Sequence, residues 1–177
     1  PLFIREIASS WGDSEVPKQI TLPTSAVESV RSRLLDISVD HARIMEVASA
    51  IGSEFDYSRL AAIEHDQTTD QLAAALRSGL DAGFIEESGD TPGWFIFTHQ
   101  MVRQAIYTSL STTERASLHA RAASGLEQLL SESNFDNAAE ISSHWQRAGI
   151  SGDMGHAATW ALRAGKQALA VFSYESA

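Results

Sequence analysis

Residues 68–99 read TTDQLAAALRSGLDAGFIEESGDTPGWFIFTH, and the change of pattern inside this stretch decides the fold. Thr68 followed three residues later by Gln71 is a capping box. It opens a helix with Leu72, Leu76 and Leu80 on one face. Gly83 is the residue type that stops such a helix. Two runs rich in β-formers follow, Phe84-Ile85-Glu86-Glu87 and Trp94-Phe95-Ile96-Phe97, separated by Ser88-Gly89-Asp90-Thr91-Pro92-Gly93. That is a hairpin with a long loop.

Upstream, Ser25 and Glu28 repeat the capping-box spacing before Val27, Val30, Leu34 and Ile37. Ser38 caps the next helix, whose broad apolar stripe of Ile44, Met45, Val47, Ala48 and Ile51 ends at Gly52. A short helix through Leu60 and Ile63 spans Asp56 to Glu64. Helix, turn, helix and hairpin in this order spell a winged helix-turn-helix, with 69–82 in the place of the recognition helix. Before it, residues 9–23 hold Gly12, Pro17 and Pro23 and read as a linker after a short amphipathic helix.

Downstream of Gln100 everything reads as helix. Met101, Val102, Ala105, Ile106 and Leu110 line the first. Ser111 and Glu114 form a third capping box before Leu118, Leu126, Leu129 and Leu130. Ala-rich helices over 137–148 and 154–172 follow, with Trp145 and Trp160 as large packing residues. Small residues at close spacing, broken by short Gly-containing turns, are how paired-helix repeats stack. The expected fold class is therefore mainly α with one small β-hairpin: a winged helix over 23–110, then antiparallel tetratricopeptide-like repeats over 111–177. The chain starts at Pro1 without Met and stops at Ala177 without a terminating signal, so both ends read as cut from a longer polypeptide.

Composition narrows the function. The 177 residues are 44% hydrophobic and 20% charged, an ordinary globular balance. The net charge is -10, which opposes autonomous binding to nucleic acid or an anionic membrane. Across the winged stretch the acids are Glu54, Asp56, Glu64, Asp66, Asp70, Asp81, Glu86, Glu87 and Asp90, against Arg59 and Arg77 alone. A recognition helix needs donors for base edges and cations for phosphates, so this one reads as a packing module. Cys is absent, which excludes disulfides, thiolate metal sites and a cysteine nucleophile. With no apolar run of membrane-spanning length and no signal peptide, the expected location is the cytoplasm.

No phosphate loop, dinucleotide fingerprint or nucleophile elbow is present, so no catalytic residue is expected. The six histidines show no HExxH spacing, and no metal site is expected. His119, His144 and His156 read as ordinary polar residues on helix surfaces or seams. His99 differs, because it stands where the second hairpin strand meets the next helix, one turn before Arg103. An imidazole there can aim a donor across a cleft, and it can equally cap the helix.

Five segments taken in order carry a resemblance. They are Pro1-Leu2-Phe3-Ile4-Arg5-Glu6-Ile7; Leu22-Pro23 with Arg31, Arg33 and Leu34; residues 46–55; Phe95 through Tyr107; and His119-Ala120-Arg121-Ala122-Ala123. Together they resemble the C-terminal half of the AAA-related STAND signal-transduction ATPase module of large bacterial regulators, including LuxR-type activators and regulators linked to class III nucleotide cyclases. The resemblance implies that residues 1–22 end an ATPase lid whose proline, here Pro1, packs on adenine. It implies that His99, in a Phe-x-His motif with Phe97, reaches the phosphates of ADP with Arg103 as helper. It places ATP or ADP with Mg in the intact parent and no cofactor on these residues alone. The partners implied are the preceding nucleotide-binding subdomains, the following repeats, and an inducer or protein on those repeats. The function expected is a non-catalytic regulatory segment of a nucleotide-switched regulator. The alternatives are a stand-alone winged-helix DNA-binding regulator with a helical effector domain, and a structural protein-interaction scaffold.

Overall fold

The computed structural model describes residues 24–89, 91–132, 137–149 and 152–174. The helix, linker and adenine-packing Pro1 expected over 1–23 lie outside the described residues. Chain order is α1 Thr24–Leu35, α2 Val39–Ile51, β1 Glu54–Asp56, α3 Tyr57–Ile63, α4 Thr69–Asp81, β2 Ile85–Glu87, β3 Trp94–Phe97, α5 Gln100–Ser109, α6 Thr112–Glu132, α7 Ala138–Ala148 and α8 Met154–Tyr174. The described residues are thus mainly helical, with one small antiparallel sheet.

Helix starts follow the side chains that satisfy their orphan amides. Ser38 accepts from the His41 amide at 3.2 Å. Asp56 accepts from Arg59 at 3.0 Å, and Asn137 from Glu140 at 3.4 Å. The boxes at Thr68–Gln71 and Ser111–Glu114 are both closed in each direction. The box expected at Ser25 rests on a side chain outside the described residues. Gly83 ends α4 at φ 64°, donating to the Leu80 carbonyl while Phe84 donates to Gly79. This pair of bonds is the Schellman closure, and only glycine takes that φ at no steric cost.

The sheet corrects one expectation. The sequence pattern predicts a two-stranded hairpin, whereas the sheet has three strands in the order β1-β3-β2. Strand β1 pairs with β3 with Phe55 opposite Phe95, and β2 pairs with β3 with Ile85 opposite Phe97. Three residues with acids at both ends carry no readable alternation, so β1 exists through its partners. Fully buried Phe55 stacks on Phe95 at 5.7 Å between ring centroids and touches Phe97 at 6.0 Å.

Two apolar clusters fill the molecule. The first joins α1 to α5, the sheet, and Leu118 and Ala122 of α6. The second holds Ala123, Leu126, Ile141, Trp145, Ala148 and Ala157, from α6, α7 and α8. Helix α6 therefore faces both, since neighbouring residues on a helix point about 100° apart. Helix α3 lies against α6 so closely that a Cβ at Gly125 would stand 2.6 Å from the Ala62 carbonyl oxygen. The apolar sequence settings of Trp94 and Trp145 imply burial of both; Trp145 is buried, whereas Trp94 is only half-buried, with the Arg59 guanidinium 5.5 Å from its ring centroid.

Candidate functional site

His99 occupies the N-cap position of α5 in extended backbone, φ -147° and ψ 141°, and its side chain makes no cap hydrogen bond. It is exposed. The neighbouring Thr98 hydroxyl does the local tying instead, donating to the Gly83 carbonyl at 3.0 Å. Arg103, one turn on, turns into the fold, and its Nη1 donates to the Ser49 carbonyl near the end of α2 at 2.9 Å. Burial, and then the positive charge of Arg147, hold the Arg103 guanidinium below its ordinary pKa. The sequence neighbours His99 and Arg103 thus have different surroundings: an exposed ring at a helix N-terminus, and a half-buried strut.

The seam between the sheet-bearing half and the terminal helices holds a second cluster. His119 on α6 and His144 on α7, 1% and 3% exposed, meet Nδ1 to Nδ1 at 2.9 Å. The Tyr107 hydroxyl of α5 lies 2.8 Å from His119 Nε2, completing a chain across three helices. One Nδ1 must carry the proton and the other accept it, so the chain is satisfied with both rings neutral. Burial is the leading cause of the lowered pKa of each ring. His119, further lowered by Arg147 and Arg115, falls to about 4. His144, further lowered by His119, Arg147 and Arg59, falls to about 3.

Ion pairs flank this chain. Glu64, 3% exposed at the end of α3, accepts from Arg121 of α6. Arg59 of α3 reaches Asp56 and, across the seam, Glu140 of α7, each at 3.3 Å. Farther along, Trp145 Nε1 donates to Glu127 at 2.5 Å, and the same carboxylate meets His156 at 3.2 Å. His156 is exposed, and the Glu127 hydrogen bond raises its pKa.

Of the histidines read as ordinary polar residues, His156 is a surface group, whereas His119 and His144 form a buried pair. The signal was present in the sequence. His119 stands on the stripe of Ala122, Ala123 and Leu126, and His144 on that of Ile141, Trp145 and Ala148. A histidine on an apolar stripe needs a partner at the same depth. Among the described residues no group of three His, Cys, Asp or Glu side chains could hold a metal ion, and no helix is long and apolar enough to cross a membrane.

Two grooves open elsewhere. One of about 660 Å³ lies between α1 and α4, where Arg33 and Arg77 face Asp36, Asp70 and Asp81. The other, about 430 Å³, is lined by Leu34, Leu35, Val39, Leu110 and Leu118 together with the charged Arg43, Glu46, Glu114 and Arg121. Comparison with protein-family models, curated proteins and solved structures finds no match.

Proposed function

We propose that this chain is a non-catalytic coupling segment of a nucleotide-switched, STAND-type regulator, in which a winged helix serves as a packing module. The order helix, strand, helix, helix, strand, strand, with the first strand beside the last, supports the winged reading of residues 39–98. Helix α4 would be its recognition helix, yet its exposed face carries Asp70 and Asp81 against Arg77. Such a face repels DNA phosphates at long range. Helices α6, α7 and α8 would begin the repeat array.

The observation that carries the reading is His99. Its ring is exposed at the start of a ten-residue helix, is not used as a cap, and stands on a rigid base tied by Thr98 and Arg103. A helix N-terminus favours an anion, and a cationic or donor imidazole beside it strengthens that preference. In the intact regulator His99 would donate toward the β-phosphate of ADP and hold the closed state. A ligand that bridges two lobes stabilises only the arrangement in which both reach it.

The test compares ADP release from a longer polypeptide carrying the nucleotide-binding half, with and without His99→Ala. A hydrogen bond to a charged group contributes about 1.5 to 3 kcal/mol, so release should quicken roughly 10- to 150-fold. Equal rates in the two proteins would leave His99 without a nucleotide role. A gel shift of duplex DNA by this chain, abolished by Arg77→Ala, would favour the DNA-binding alternative instead.

A further inference from the structure

Three arginines stand one helical turn from the three members of the buried chain, one on each helix. Arg103 precedes Tyr107 on α5, Arg115 precedes His119 on α6, and Arg147 follows His144 on α7. The Arg115 guanidinium lies 5.4 Å from the centroid of the Tyr107 ring. Arg103 is fixed by the Ser49 carbonyl, and Arg147 is exposed. The molecule carries 23 acids against 13 bases, so an arginine without a carboxylate partner is unexpected. Arg59 and Arg121, on the other flank of the seam, are both paired. Among the described residues, no ion pair involves Arg103, Arg115 or Arg147.

We propose that Arg103, Arg115 and Arg147 frame a binding site for a compact phosphate-type oxyanion, with the Tyr107 hydroxyl and the His119–His144 pair beneath it. The three helices deliver one guanidinium each, and a guanidinium fork suits a tetrahedral oxyanion better than an ammonium does. The floor already supplies a polar chain whose direction can reverse. When His144 Nδ1 donates to His119 Nδ1, the His119 Nε2–H donates to Tyr107, and the phenolic hydrogen is released to point at a ligand.

Electrostatics agrees with this geometry. Arg147 disfavours the charged forms of Arg103, His119 and His144 at once, and Arg115 adds to this at His119. An anion seated among the three would relieve all of these repulsions together. Glu140 of α7 and Asp56 of β1 are both paired with Arg59, and among the described residues no carboxylate pairs with Arg103, Arg115 or Arg147. The proposal shares Arg103 with the nucleotide-switch reading but does not rest on it, since His99 takes no part and Arg115 and Arg147 have no role in that reading.

The test is thermal unfolding and titration calorimetry of the 177-residue chain with inorganic phosphate, with chloride holding ionic strength constant. Phosphate at about ten times its dissociation constant should raise the melting temperature. Because Arg147 is exposed, Arg147→Gln should fold normally and bind phosphate about 10- to 150-fold more weakly. Arg115→Gln should weaken it in the same sense. ADP distinguishes the source of the oxyanion: displacement of phosphate by ADP points to a nucleotide phosphate, and failure to displace points to free phosphate. A melting temperature that follows ionic strength alone would overturn the proposal. So would equal phosphate affinity in wild type and Arg147→Gln. A normal ADP-release phenotype for His99→Ala leaves this outcome untouched.

Discussion

His119 and His144 put two titratable rings where water cannot reach them, and acid stability follows from that. In the unfolded chain each accepts a proton near the ordinary value of 6.5; in the fold the values are about 4 and about 3. The stability they permit is fully present above about pH 6.5 and is lost as the pH falls through that window toward the folded values. Each ring can add at most about 1.4 kcal/mol per pH unit to the slope. Chemical denaturation at a series of pH values from neutral downward should show this loss. In His144→Leu the slope should flatten, while neutral-pH stability falls by about 1 to 3 kcal/mol as His119 Nδ1 loses its partner. An unchanged slope would mean that the rings take up protons without opening the seam. The two tryptophans make a second contrast at this scale. Trp145→Ala should cost roughly 3 to 5 kcal/mol, as expected for a core aromatic. Half-buried Trp94→Ala should cost less than about 2 kcal/mol. The melting temperatures of the two variants give the order.

Among the elements, α6 carries the most exacting contact. Replacing Gly125 by Ala would gain about 1 kcal/mol of helix propensity. The new Cβ would meet the Ala62 carbonyl oxygen at 2.6 Å and the Ile63 Cα at 2.9 Å, both backbone atoms that cannot swing aside. Overpacking of this kind costs about 1 to 3 kcal/mol or more, so Gly125→Ala should destabilise the chain despite the better helix former. A higher melting temperature would show that α3 and α6 can separate freely. The elements also show what could be read in advance. Helix starts at Ser38, Thr68 and Ser111 were legible because a cap is a local bargain between a side chain and amides two or three residues away. The stop at Gly83 was legible for the same reason. Strand β1 was not, because Glu54-Phe55-Asp56 becomes a strand only once β3 offers its edge. The candidate site divides along the same line. The place of His99 at a helix start could be read from local order, while the Tyr107–His119–His144 chain depends on the depth at which three helices cross.

At the scale of the whole molecule, the ion pair of buried Glu64 with half-buried Arg121 and the bridge from Arg59 to Glu140 join the two apolar clusters. Removing Arg121 leaves the Glu64 charge buried and uncompensated, at a cost that approaches the roughly 3 to 5 kcal/mol of a fully buried pair but is reduced by the exposure of Arg121. Arg121→Met should therefore destabilise strongly, and Glu64→Gln made alongside it should recover most of the loss. A double variant no better than the single one would mean that the charge itself is not what destabilises. His99→Ala, at the exposed start of α5, should change stability by less than about 1 kcal/mol, since no described contact depends on its ring.

The position of α6 between two cores also governs how the molecule comes apart. Ala122 is packed in one cluster and Ala123 in the next, so the backbone amides between them are guarded from both sides. Each half supplies one wall of the seat of this helix, so opening either one strips α6 of half its packing. Hydrogen exchange at residues 118–126 should thus proceed only through the largest opening the chain undergoes, at the slowest rate in the molecule. In mechanical terms α6 is an axle keyed to both wheels.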